Sequence, residues 1–281
     1  MKNLAIIGNP ISHSLSPIMH NAAIKALDLD IEYSTVKVES AELSKFLEIA
    51  VEKYIGFNVT VPYKTDVLQY LDHIDKNAIL GESVNTVVVS KDGKFSGFST
   101  DGYGLEKALS LEFPIKVSEE NFFFVGCGGA AKAAISHLLS IGVQNIVIAN
   151  RSLNKAENFI KKLIKSYPNS SLEVCSLKDV NLIKSHFDNN PIIIQSTSLG
   201  LNKNDIMPLN VNLLNENMRV FDMIYGMTPF LLQSRTKGCM ISDGRLMLLY
   251  QGVKSFKIWT GIEPPVNIMK NALFSELEDR G

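Results

Sequence analysis

The sequence predicts an α/β protein of two domains: an N-terminal three-layer α/β domain, followed by a doubly wound, parallel-sheet domain. Three observations lead there. A length of 281 residues suits two domains. Segments of strand period and helix period alternate twice along the chain. The second alternation opens on a buried strand that runs directly into a glycine-rich turn.

In order, "LAIIG" (4–8) reads as a buried strand, 17–27 as a helix and "IEYSTVKV" (31–38) as an alternating strand. Residues 41–54 carry Leu43, Phe46, Leu47 and Val51 on one helical face, and "GFNVTV" (56–61) is again a strand. Pro62 then opens a helix to about Leu71, at a position where its missing N–H costs nothing. "SVNTVVV" and "KFSGF" flank Asp92-Gly93, a hairpin signal. After Asp101 come "NFFFVG" (121–126), a helix, "NIVIAN" (145–150), a helix, "LEVCS", a short helix, "PIIIQS" (191–196) and "RVFDMIY" (219–225). That rhythm predicts a parallel sheet wound on both faces. Two helices, about 246–260 and 265–278, are separated by "EPP".

Composition narrows the function classes. Lys and Arg number 28 against 29 Asp and Glu, so no basic excess points to nucleic acid. The N-terminal apolar run is cut at Gly8-Asn9-Pro10, too short for a signal peptide. No segment approaches the about 20 apolar residues of a spanning helix. A cytoplasmic protein without a membrane partner is expected. Cys127, Cys175 and Cys239 have no C-x-x-C spacing and the five histidines no ligand spacing, so neither a disulfide framework nor a metal is expected.

"VGCGGAAKAA" fits G-x-G-x-x-A through Gly126, Gly128 and Ala131. A tight strand-to-helix turn, close backbone approach to a pyrophosphate and free N–H groups at the helix start all need small residues there. Cys127, Gly129 and Ala130 complete the turn. The next strand ends in Asn150, Arg151, Ser152 and Lys155 rather than in an acid. A ribose 2′-OH calls for Asp or Glu at that place, and a 2′-phosphate for a guanidinium, so NADP is favoured over NAD. Two cations at a helix N-terminus also oppose the macrodipole unless an anion meets them.

Ligands of open α/β sheets bind beyond the carboxyl ends of strands. Ser14, Ser16, Thr60 and Lys64 follow such ends, and Asn85 and Asp101 can join them from the hairpin. Hydroxyls, an amide, a lysine and a carboxylate suit a small, polyhydroxylated, anionic ligand. Each also has a plainer reading. Ser16-Pro17 makes a good helix cap, Lys64 a surface lysine and Asp101 a cap of the helix from Tyr103. Reduction of a ketone leaves an alkoxide that needs a proton donor, and Lys64 can serve, held by Asp101.

The stretches "IGNPISHSLSPIMHN", "NVTVPYK", "GESVNTVV", "STDGYG", "VGCGGAAKA", "IANRSLNKA", "DMIY" and "DGRLMLLYQG" occur in this order and together resemble the shikimate dehydrogenase family. The resemblance spans essentially the whole chain. It implies reversible reduction of 3-dehydroshikimate to shikimate with NADP, in aromatic amino-acid (chorismate) biosynthesis. It implies that Ser14 and Ser16 hold the substrate carboxylate, that Thr60 and Asn85 bind the substrate and Gln251 its ring hydroxyls, and that Lys64 and Asp101 form the catalytic dyad. Tyr225 then approaches the substrate, Met223 and Gly244 border the nicotinamide, and Thr197 lies on the cofactor side. Residues 245–281 then fold back onto 1–101 as the substrate domain, leaving 102–244 as a Rossmann-type cofactor domain. The assembly implied is a monomer or homodimer. Two stretches depart from the family pattern. Gln195-Ser196-Thr197-Ser198 stands where N-A-T-S is common, and "GMTPF" replaces a longer loop after Tyr225.

Overall fold

The computed structural model describes residues 2–202 and 204–280. The fold is α/β, as the sequence predicts, and the described residues form two six-stranded sheets, one strand more in each than the sequence reading names. The chain divides into two compact units, one of residues up to 104 and from 248 onward, the other of residues 105–247.

The first unit begins with β1 (Lys2–Gly8), α1 (Ser16–Ala26), β2 (Ile31–Lys37), α2 (Leu43–Lys53) and β3 (Tyr54–Val59). β4 (His73–Ile74), α3 (Lys76–Leu80), β5 (Thr86–Val89), β6 (Phe95–Phe98) and the start of α4 (Asp101–Glu112) follow. Its sheet order is β2-β1-β3-β5-β6-β4. β1 runs parallel to β2 and β3, while β5 runs antiparallel to β3 and to β6. This pattern gathers the polar residues. The carboxyl ends of β1 and β3 lie at one rim. β5 starts at that rim because Thr86 pairs with Asn58, and β6 ends there because Phe98 pairs with Thr86. Residues just after β1, β3 and β6, and just before β5, therefore share an edge. The core beneath contains Ile7, Phe46, Phe57, Tyr63 and Val87.

The second unit holds β7 (Asn121–Val125), α5 (Gly129–Ser140), β8 (Asn145–Asn150), α6 (Leu153–Ser166), β9 (Ser171–Ser176) and α7 (Val180–Phe187). It continues with β10 (Ile192–Gln195), β11 (Arg219–Asp222), α8 (Pro229–Thr236) and β12 (Met240–Ser242). The order β12-β11-β10-β7-β8-β9 is parallel throughout, the doubly wound arrangement with its switch point between β7 and β10. Val125, Ala149, Gln195 and Asp222 form one row across the sheet. α9 (Arg245–Thr260) and α10 (Val266–Arg280) close the chain, and α10 packs on α1 in the first unit. No helix among the described residues is long and apolar enough to cross a membrane.

Four local expectations need correction. Ser16 is the first residue of α1 rather than its cap: Leu15 precedes the helix, and Ser14 Oγ accepts the Ser16 N–H at 3.3 Å. Pro62 opens no α-helix. Residues 61–65 are turns and Asp66–Tyr70 is a 3₁₀ helix. The reason is one carbonyl: Lys64 O accepts from Val84 N at 2.9 Å, so Leu68 N bonds Thr65 O instead. Val51 is exposed, and Ala50 takes its place on the buried face of α2. Asp101 is the first residue of α4 rather than a cap of a helix from Tyr103. The short strands β4 and β12, and helix α8, carry too little periodicity to be read from sequence.

Candidate functional site

At the rim of the first unit, Lys64 Nζ lies 2.5 Å from Asp101 Oδ2. Asn85 Nδ2 donates to the other carboxylate oxygen, Oδ1, at 2.8 Å, to Thr100 Oγ1 at 2.8 Å, and more weakly to Gln251 Oε1 at 3.3 Å. Lys64 is held by its backbone bond to Val84, the residue before Asn85. Gln251 is fixed because its own amide donates to Leu248 O at 2.8 Å. The pair and its neighbours are thus joined directly, with Asn85, Asp101 and Gln251 buried and Lys64 partly open.

A second layer supports Asn85. Thr100 N donates to Asn85 Oδ1 at 2.8 Å, and the hydroxyl of Thr86 reaches the same oxygen at 3.1 Å. Ser255, on α9, is the hub, with its Oγ 2.7 Å from Thr86 Oγ1, 3.1 Å from Thr100 Oγ1 and 3.3 Å from Asn58 Nδ2. Asn58 Nδ2 also donates to Asn85 O at 2.8 Å, and Tyr33 OH donates to Asn58 Oδ1 at 2.7 Å. Ser16 lies beside Tyr33 at the end of this chain. A continuous polar network therefore links Tyr33 to Asp101. Ser16 is buried, while Ser14 and Thr60 are partly exposed. Gly8 lets the ends of β1 and β3 meet: a Cβ there would stand 2.6 Å from Thr60 Cγ2.

Tyr33, Asn58, Thr86, Thr100 and Ser255 were not legible as site residues. The available signal was polarity inside apolar runs, as at Asn58 in "GFNVTV" and Ser255 on α9. Beside the network, His20 is wholly buried, its ring stacked 4.4 Å from that of Tyr33. Among the described residues neither ring nitrogen has a hydrogen-bond partner, and burial lowers its pKa from 6.5 to about 3.

In the second unit, Gly126 follows β7 with φ +103°, and a Cβ there would stand 2.7 Å from Thr197 Cγ2. This crowding at the switch point demands glycine. Gly128 precedes α5, with nothing within 4 Å of where its Cβ would be. Neither α5 nor α6 has a side-chain cap or an acid in its first turn, so both present uncapped N–H groups. Cys127, Gly129 and Ala130 line that turn, partly exposed, and Cys127 is in no disulfide. Asn150 Nδ2 donates to Ser152 O at 2.8 Å, and Arg151, Ser152 and Lys155 are exposed at the start of α6. These residues fit a dinucleotide carrying an extra phosphate: an open backbone turn, uncapped helix starts and two cations.

Met223 and Tyr225 lie on the loop after β11, Tyr225 exposed. Gly244 N donates to Ile224 O at 3.0 Å, and a Cβ at Gly244 would collide with Met223 O at 2.2 Å. Asp222, fully buried, accepts from Ile224 N at 3.0 Å and Thr228 Oγ1 at 2.8 Å. Burial pushes its pKa up to about 6, opposed by those two hydrogen bonds and helped by the nearby charge of Asp243.

Comparison with known proteins places this geometry. The model of the shikimate dehydrogenase substrate binding domain matches residues 6–87, that of shikimate / quinate 5-dehydrogenase 108–222, and that of the shikimate 5'-dehydrogenase C-terminal domain 244–274. A shikimate dehydrogenase (NADP(+)) of Methanococcus aeolicus is 39% identical over 98% of both chains. One from Staphylococcus aureus is 36% identical, again over 98% of both. The crystal structure of shikimate 5-dehydrogenase from Listeria monocytogenes, in complex with shikimate and NAD, superposes with a TM-score of 0.90 at 31% identity, covering 97% of this chain and 96% of that one. With its fold, its rim of polar side chains and its sequence all in agreement, the chain belongs to the shikimate dehydrogenase family.

Proposed function

We propose that the protein is an NADP-dependent dehydrogenase that interconverts shikimate and 3-dehydroshikimate in the pathway to chorismate and the aromatic amino acids. The observation that carries this reading is the direct linkage of Lys64, Asp101, Asn85 and Gln251 at one rim.

NADP, when bound, supplies the hydride acceptor or donor. The protein's own residues handle the rest. Ser14 and Ser16, at the start of α1, bind the substrate carboxylate, where helix N–H groups favour an anion. Thr60, Asn85 and Gln251 take ring hydroxyls. In the oxidising direction the reacting hydroxyl gives its proton to the Lys64–Asp101 pair as hydride leaves the carbon. In reduction the pair returns a proton to the developing alkoxide. The two groups share that proton as a coupled unit. Asn85 keeps the Asp101 carboxylate aimed at Lys64. Gly126, Cys127, Gly128, Gly129 and Ala130 receive the pyrophosphate, Asn150, Arg151, Ser152 and Lys155 the 2′-phosphate ribose, and Thr197, Met223 and Gly244 the nicotinamide side. Tyr225 approaches the substrate from that side. The reading requires no metal, nucleic-acid or membrane partner, places the enzyme in the cytoplasm, and allows a monomer or a homodimer.

The test follows reduced-nicotinamide absorbance with shikimate and quinate, each offered with NADP⁺ and NAD⁺. Rapid turnover only with shikimate and NADP⁺ is expected. Turnover with quinate or NAD⁺ at equal rates would replace it with a broader quinate/shikimate specificity, and no turnover with any pair would overturn it.

A further inference from the structure

Gln195 and Asp222 are register partners on β10 and β11, and both are fully buried at the carboxyl edge of the sheet. Each side chain folds back on the loop that follows its own strand. Gln195 Oε1 accepts from Thr197 N at 2.8 Å, and its Nε2 donates to Leu199 O at 2.9 Å and Thr197 O at 3.2 Å. Asp222 holds Ile224 N and the Thr228 hydroxyl, as described above. The two loops are also tied to each other. Met223 N donates to Gln195 O at 2.9 Å, and a methyl on Gly200 would stand 3.5 Å from Ile224 Cδ1 and 3.6 Å from Thr228. Asp243 anchors the far side, accepting from Gly226 N at 3.1 Å while paired with Arg245.

A carboxylate buried without its own cation is costly, and a buried amide is costly unless its bonds are made. Neither residue would be favoured by stability alone over an apolar one in a parallel sheet. Each instead satisfies polar groups of the irregular, partly exposed residues that directly follow its strand, Thr197 and Leu199 after β10, Ile224 and Thr228 after β11.

We infer that Gln195 and Asp222 are a matched pair of positioning residues that set the two loops bearing Thr197 and Met223 for the nicotinamide half of the cofactor. The inference rests on the NADP reading above. It also accounts for the departure at Gln195: the longer side chain spans to Leu199 O, fastening a loop of this particular shape.

Calorimetry on the purified full chain, with NADP⁺ and with shikimate separately, provides the test. Gln195→Leu and Asp222→Ala are each expected to weaken NADP⁺ binding by about tenfold or more, since each removes two or more hydrogen bonds made by a buried side chain, with shikimate affinity within about twofold of the parent. Asp222→Asn keeps an acceptor for Ile224 N and can donate to the Thr228 hydroxyl, so it should recover NADP⁺ affinity to within about threefold. Equal loss of both affinities, or no rescue by Asn, would reduce the pair to a structural role and overturn the inference. Unchanged NADP⁺ affinity in both Gln195→Leu and Asp222→Ala would overturn it alone. Absence of NADP⁺ binding in the unaltered protein would overturn it together with the cofactor reading.

Discussion

Lys64 and Asp101, 37 residues apart in sequence, meet at 2.5 Å, and Asn85 occupies the carboxylate oxygen that Lys64 leaves free. The pair is held from both ends: Lys64 through its carbonyl bond to Val84, Asp101 through the amide of the next residue, Asn85. Loss of one partner therefore damages chemistry more than architecture. Lys64→Ala should lower kcat by about 10²–10⁴-fold or more, the usual range for a general acid–base group, while the protein folds and binds NADP⁺ as before. Steady-state turnover and an NADP⁺ titration check this. Near-normal kcat would remove the dyad assignment.

Arg151 stands exposed at the start of α6, where no acid accompanies it. Arg151→Ala should weaken NADP⁺ binding by about 10–100-fold, the worth of charge-assisted hydrogen bonds to a phosphate, and alter NAD⁺ binding by less than about threefold. Parallel titrations with both nucleotides decide it. Equal effects would show that Arg151 does not meet a 2′-phosphate.

Ser255 ties Thr86, Thr100 and Asn58 together beneath Asn85. Ser255→Ala leaves those groups buried with one partner fewer, a loss of about 1–3 kcal/mol. Urea denaturation should report it as a lowered midpoint at unchanged slope. A midpoint indistinguishable from the parent would mean that the hub hydroxyl is energetically idle.

His20 gives the fold an acid-sensitive element. Its pKa in the folded state is about 3 against 6.5 ordinarily, so the unfolded chain binds the proton more readily between those values. The stability it contributes is complete above pH 6.5 and falls by about 1.4 kcal/mol for each unit below, towards pH 3. Asp222 acts in the opposite sense. Raised to about 6, it adds stability below its ordinary value of 3.8, and that stability is lost as pH rises through 6. The His20 contribution is therefore read as a difference between variants. His20→Phe, which keeps the ring stack on Tyr33, should flatten the acid limb of a urea-midpoint profile between pH 7 and 5. An identical slope in both proteins would contradict the assignment.

Much of this was legible in sequence for physical reasons. The buried strands of the parallel sheet are runs such as "FFFV" and "IIIQ", and they admit no other placement. Gly126 is forced by its positive φ and by Thr197 pressed against it. What escaped was decided by contacts across long sequence distances. Whether the segment after Pro62 continues as a helix depends on Val84 claiming the carbonyl of Lys64. Ser16 looks like a cap until the helix is seen to start on it, behind Leu15, with its N–H donating to Ser14 Oγ. Asp222 and Ser255 look like incidental polar residues until the loops and hydroxyls they satisfy are assembled around them.

The hairpin of β5 and β6 has a practical side. Its chemistry-bearing ends, Asn85 and Asp101, lie at one extremity, and its Asp92-Gly93 tip lies a full strand away, about 13 Å at 3.3 Å per residue. The tip makes its own closing bonds, Ser90 with Lys94 and Gly93 with Ser90. Foreign peptide, a fluorophore or a surface tether spliced between Lys91 and Lys94 would thus be insulated from turnover. A single residue inserted within either strand would invert the facing of every side chain beyond it. Length can vary freely at one end of this hairpin, and only in steps of two along its arms.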